Sequence, residues 1–195
     1  MNNDPRFIIF TGPMFGSKTT KMLSVIERYE YQGKKVASFK PLMDDRYGES
    51  FISTHSGAQI KATCISNGTQ LLEYLDACDE TYNVIAVDEA FMIDGIASSL
   101  LTAFKTGYTI VVSSLQLSSS GNVFEEMKEM MPWATKIEIC PAVCPLTGRD
   151  AFYTFRKLDM DEEIVVGGAE TYEPRCWEHH PLMNRLGEKN ANPRS

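Results

Sequence analysis

The chain has 195 residues, 43% of them hydrophobic and 23% charged, which excludes a disordered chain and leaves room for one sizeable core with at most a small appendage. No apolar run approaches the roughly 18 residues of a membrane span, and Met1 to Arg6 is polar where a secretory signal would turn apolar, so the expectation is a cytoplasmic protein with no membrane partner. A formal net charge of −7 argues against nucleic acid as the partner, because grip on a phosphate backbone needs clustered Lys and Arg.

Residues 7–10 (FIIF) form a continuous apolar run that reads as a buried strand, and Met22, Leu23, Val25, Ile26 and Tyr29 then recur at helical spacing. Between them lies Gly12-Pro13-Met14-Phe15-Gly16-Ser17-Lys18-Thr19, at the position of a phosphate-binding loop. Such a loop aims the N–H groups of a helix N-terminus and a Lys ammonium at phosphates, while its Thr hydroxyl can ligate Mg²⁺. The usual pattern is GxxxxGK[ST], but here the second glycine, Gly16, comes one place early and Ser17 precedes Lys18. Either Ser17 accepts a glycine-like backbone conformation, or Gly16 takes the strain one residue sooner.

Gly33 stops this helix, and residues 35–39 (KVASF) read as a second strand ending at Lys40-Pro41. The less regular residues 43–57 hold Asp44-Asp45-Arg46-Tyr47 and Thr54-His55-Ser56-Gly57. Arg46 could neutralise charge on a transferred phosphoryl group and Asp44 could orient a hydroxyl; a polar loop with a solvated Arg is the commoner reading. Leu71, Leu72 and Leu75 suggest a helix, residues 82–87 (YNVIAV) a buried strand, 96–104 a helix and 108–115 another buried strand. Strands alternating with helices imply an α/β fold whose parallel sheet is covered on both faces. The strand before Asp88-Glu89 places Asp88 to hold Mg²⁺ and Glu89 to take a proton from an attacking hydroxyl. An acid here can equally activate water in an ATPase, so the pair marks a P-loop enzyme and leaves the acceptor open.

After about Cys140 the pattern changes. Residues 152–157 and 163–166 read as extended segments with no helix between them, followed by Gly167-Gly168 and a Cys and His cluster, which suggests a separate β-rich lobe. The polar tail 187–195 reads as disordered. Five cysteines form an odd set that suits reduced thiols or metal ligands better than disulfides. Cys176-x-x-His179 has the spacing of a zinc half-site, Cys144 offers a third ligand, and either Cys140 or His180 could complete a tetrahedron. The alternative is a lobe that has lost its metal and holds together by packing.

Taken together, these residues resemble the type II thymidine kinases over residues 7–180. The family's GPMFSGK[ST] appears as GPMFGSKT. DDRYG at 44–48 is similar to its DxRY, THSG at 54–57 to its TH segment, and Asp88-Glu89-Ala90-Phe91 to its DEGQ or DEVQ. AVC at 142–144, AFYTFR at 151–156, VGGA at 166–169 and YEPRC at 172–176 follow its zinc lobe and lasso loop. The resemblance implies a P-loop kinase domain over 1–139, a zinc-ribbon-like lobe with the lasso over 140–186, and transfer of the ATP γ-phosphate to the 5′-hydroxyl of thymidine, giving dTMP. It also implies ATP, Mg²⁺ and structural Zn²⁺ as cofactors, thymidine triphosphate (dTTP) as feedback ligand, and a homotetramer.

The same resemblance casts Glu89 as catalytic base beside Lys18 and Arg46, with Gly12 to Thr19, Asp44, Arg46 and Asp88 at ATP and its metal. Backbone groups of Glu163, Ile164, Val165, Val166 and Gly167 would hold the base, with Tyr172 packing on the nucleoside. Met14, Met92, Leu115 and Phe124 would add apolar surface, although each passes equally as a core residue. Besides the phosphate loop, the chain departs from the family twice. Thr147 stands where the family has its second zinc cysteine, and the family's LDxxF reads Leu115-Gln116-Leu117-Ser118-Ser119, which removes an aromatic wall. Two rival expectations follow: a kinase of another deoxypyrimidine nucleoside, and a regulator that binds nucleotide without transferring phosphate.

Overall fold

The computed structural model describes residues 4–44, 51–54, 57–158 and 164–183. Arg46, with its neighbours Asp45 and Tyr47, His55, Glu163 and the tail 187–195 lie outside the described residues.

The expected α/β alternation forms. β1 (Phe7–Thr11) feeds α1 (Lys18–Tyr31), β2 (Val36–Pro41) follows, and a hairpin of β3 (Phe51–Ser53) and β4 (Gln59–Lys61) precedes β5 (Thr63–Ile65). Then come α2 (Gly68–Ala77), β6 (Val84–Val87), α3 (Ile96–Lys105), β7 (Thr109–Ser113), α4 (Glu125–Met130) and β8 (Lys136–Ile139). Six strands make one sheet in the order β5-β2-β6-β7-β1-β8, parallel at every pairing.

The apolar runs are continuous because both faces of the sheet are covered. Met22, Leu23 and Ile26 of α1 pack on Ile8, Phe10, Ala86 and Val111. On the other face, Leu71 of α2, Ile96 and Leu100 of α3, and Met127 and Met130 of α4 pack on Phe7, Ile9, Ile85, Val87, Ile110 and Val112. Alternate residues of one strand thus serve two separate apolar clusters.

Four short strands follow. β9 (Ala142–Val143) pairs antiparallel with β10 (Asp150–Ala151), and β11 (Tyr153–Arg156) with β12 (Tyr172–Arg175). The second extended segment is a correction: residues 164–166 form no strand, and the partner of β11 is β12, with Tyr153 opposite Arg175 and Arg156 opposite Tyr172. The Val-rich stretch is instead drawn over a pocket, a use that alternation cannot report. The periodicity reading also passed over α4 and β8. α4 is only six residues long, and β8 is an edge strand whose Ile137 and Ile139 remain exposed. Among the described residues, no helix is long and apolar enough to cross a membrane.

Candidate active site

The loop between β1 and α1 settles the transposed glycine. Ser17 takes the left-handed conformation at φ 57° and ψ 24°, as does Phe15 at φ 65°, while Gly16 has no positive φ. Gly16 serves a different need. A Cβ there would sit 2.3 Å from the Cys140 carbonyl oxygen, as would one on Gly12, so the chain leaving β8 wedges against the loop where only glycines allow it. Cys140 is held by its own N–H, which donates to Thr11 O at 2.7 Å.

Lys18 folds back on the loop and donates from Nζ to Pro13 O at 2.7 Å. The Thr19 hydroxyl lies 3.1 Å from both carboxylate oxygens of Asp88, which directly follows β6 and is buried. Burial pushes the Asp88 carboxyl up to about 7, with the Glu89 charge adding to the shift; the Ser113 and Thr19 hydroxyls and the Lys18 charge pull the other way. A carboxylate and a hydroxyl this close are hard oxygen donors that fit Mg²⁺. Both line a polar cavity together with Ser17, Lys18, Asp44 and Glu89.

Glu89 stands in the left-handed region at φ 47°, at the turn from β6 into a short 3-10 turn (Ala90–Met92). It borders the polar cavity and also a second, largely apolar pocket. Every residue in the described part of the expected nucleoside set lines this second pocket: Met14, Met92, Leu115, Phe124, Ile164, Val165, Val166, Gly167 and Tyr172. The Tyr172 hydroxyl donates to Val165 O at 2.8 Å and so holds the covering loop from within. Gly12 and Pro13 lie behind the loop, bordering a smaller cleft with Thr154 and His180.

The sequence reading missed Phe91 and Thr154 in the pocket wall, while Ser118 and Ser119 line it from the LQLSS stretch that the family resemblance had set there. Phe91 lies against Phe124 with ring centroids 4.5 Å apart, so an aromatic wall is present, built from the 3-10 turn while serines occupy the LQLSS stretch. Its signal was the aromatic directly after Asp88-Glu89-Ala90. Thr154 had no local signal; its hydroxyl accepts the Met14 N–H at 3.0 Å, tying β11 to the phosphate loop.

Cys144 and Cys176 share a small buried cluster on which Phe15 of the phosphate loop packs. Cys176 Sγ lies 3.5 Å from His179 Nδ1 and 3.7 Å from the Thr147 hydroxyl. Neither proposed fourth ligand joins them, which corrects both expectations. Cys140 is buried in the cluster of α1 and β1, with Sγ toward Glu138 O, and His180 is buried with Nε2 3.0 Å from Thr154 O. The fourth corner is therefore a neutral alcohol, which does not close a structural zinc tetrahedron. Among the described residues, no group of three or more His, Cys, Asp or Glu could hold a metal. The donor set does not fit a closed structural zinc site.

A phosphate loop on β1, an acidic pair two strands away and an apolar pocket meeting at one carboxylate define a P-loop phosphotransferase with an organic acceptor. The thymidine kinase family matches residues 6–180. Thymidine kinases of Thermococcus kodakarensis and Pyrobaculum aerophilum are 33% and 31% identical over 181 residues, covering 88% and 90% of this chain and 92% and 98% of theirs. That of Ureaplasma urealyticum is 31% identical, covering 91% of this chain and 83% of its own. The Legionella pneumophila ATPase DotB is similar in structure at a TM-score of 0.43 and 16% identity, over 76% of this chain and 44% of that one. The chain belongs to the thymidine kinase family, and with it to the nucleoside kinases.

Proposed function

We propose that this chain transfers the γ-phosphoryl group of ATP to the 5′-hydroxyl of thymidine, working in the cytoplasm as its family relationship suggests. One observation carries the reading: Glu89 borders both the polar cavity beside Lys18, Thr19 and Asp88 and the apolar pocket beneath residues 164–167. A base at that junction can take the proton of a hydroxyl presented from the pocket while the phosphates lie in the cavity. Lys18 and the N–H groups of the loop from Phe15 to Thr19 would bind the phosphates, with Asp44 at the cavity wall and Arg46 as the cation for the transferring group. Thr19 and Asp88 would hold Mg²⁺, which when bound neutralises phosphate charge.

The thymine base would pack among Met14, Met92, Leu115, Phe124 and Tyr172, with the backbone of Glu163 to Gly167 reading its edge. Covering the nucleoside excludes water and so suppresses wasteful hydrolysis. A homotetramer under feedback by thymidine triphosphate belongs to the same family-based reading. Ser118 and Ser119 in the pocket wall favour one second reading, a broader acceptor range among deoxypyrimidine nucleosides.

The test is a product assay with Mg-ATP and a deoxynucleoside panel that follows nucleotide and ADP together. Thymidine monophosphate formed one-for-one with ADP is expected. ADP without nucleotide would make the chain an ATPase. Glu89→Gln should lower kcat by roughly 10²–10⁴-fold while thymidine still binds; unchanged turnover would remove Glu89 from the role.

A further inference from the structure

The polar cavity has a second ammonium in its wall. Lys40 lies near the end of β2 and is only 3% exposed. The β2–β6 register runs from Val36 opposite Val84 to Phe39 opposite Val87, so the next step sets Lys40 beside Asp88. Neighbours in such a register share a face of the sheet, and both residues line the polar cavity. Lys40 Nζ donates to Phe51 O at 3.4 Å, at the base of the β3–β4 hairpin. The strand order β2-β6-β7-β1 places Lys40 on one side of Asp88, and Lys18, which opens α1 beyond β1, on the other. A buried ammonium needs polar or anionic partners, and one in the wall of this cavity can be reached by a phosphate group bound there.

We propose that Lys40 is a phosphate-binding residue that meets the terminal phosphoryl group of the nucleotide from the side opposite Lys18. This rests on the kinase reading above. During transfer the bond from phosphorus to the acceptor oxygen forms as the bond to the bridging oxygen breaks; the bridging oxygen leaves with its electron pair on ADP, and the hydroxyl proton passes to Glu89. Charge spreads over the equatorial oxygens of the group in flight, and a fixed cation beside them stabilises it. Lys18 remains with the phosphate loop, and Lys40 follows the group that moves.

The experiment compares the parent with Lys40→Met and Lys40→Gln by Mg-ATP and Mg-ADP affinity, kcat for thymidine, and thermal unfolding. A residue on the terminal phosphoryl group should lose about tenfold in ATP affinity with ADP affinity unchanged. It should also lose roughly 10²-fold in kcat, with thymidine affinity and the unfolding midpoint preserved. Lys40→Arg should recover part of the ATP preference. Equal weakening for ATP and ADP, or no change in either, overturns the proposal. So does loss of the folded protein in both uncharged variants, which would make Lys40 a structural ammonium. If the parent forms no thymidine monophosphate, the kinase reading falls separately, and the ATP-to-ADP comparison still decides the role of Lys40.

Discussion

At the scale of single residues, Gly16 and Ser17 divide two jobs. Gly16 is needed for space, because a Cβ would meet the Cys140 carbonyl at 2.3 Å, while Ser17 carries the left-handed conformation that opens α1. A non-glycine residue in that conformation costs roughly 1–2 kcal/mol. Ser17→Gly is therefore expected to stabilise the fold by about 1 kcal/mol, net of the greater freedom of glycine in the unfolded chain, with phosphoryl transfer retained. Gly16→Ala should displace the loop and weaken Mg-ATP binding by about tenfold or more. Denaturant unfolding and nucleotide titration check the pair; equal behaviour of the two variants would refute this division. The order of glycine and serine was visible in the sequence, but which residue bears the strain was not, because that depends on a carbonyl 124 positions further along the chain.

At the scale of elements, β11, β12 and the turn after them connect the pocket, the phosphate loop and the cysteine corner. His180 lies buried against Thr154, and burial holds its imidazole below its ordinary value near 6.5. The unfolded chain then binds more protons than the folded one below that value. The contribution of neutral His180 is fully present above pH 6.5 and is lost as pH falls through the lower folded value. Denaturant unfolding at pH 7.5 and 5.5 should show the parent losing stability in acid and His180→Gln losing less; identical slopes would sink the idea. In the cysteine corner, Thr147 supplies a hydroxyl beside Cys176 where a fourth soft donor would close a tetrahedron. Thr147→Cys should purify with about one zinc per chain and the parent with little, as metal analysis would show; equal zinc in both would refute the account.

At the scale of the whole molecule, two cores lie on either side of one parallel sheet, and the polar cavity and pocket open beyond the ends of its strands. Leu100 is fully buried between α3 and the sheet, away from both cavities. Leu100→Ala should cost about 2–5 kcal/mol, readable as a lowered urea midpoint, with KM for both substrates unchanged in the folded fraction. A change in KM at preserved stability would mean that this core is coupled to the site.

The sequence by itself determined the parallel α/β sheet, the phosphate loop, the acidic pair and the family, because these rest on local periodicity and on motifs in which neighbouring residues act together. Only the tertiary structure decided the rest. It brought Glu89 to the border of both cavities, set Phe91 against Phe124 in place of the missing aromatic, separated Cys140 and His180 from the cysteine corner, and laid Lys40 beside Asp88. Each of those outcomes depends on strand order and register, which join residues tens of positions apart and leave no periodic trace in the chain.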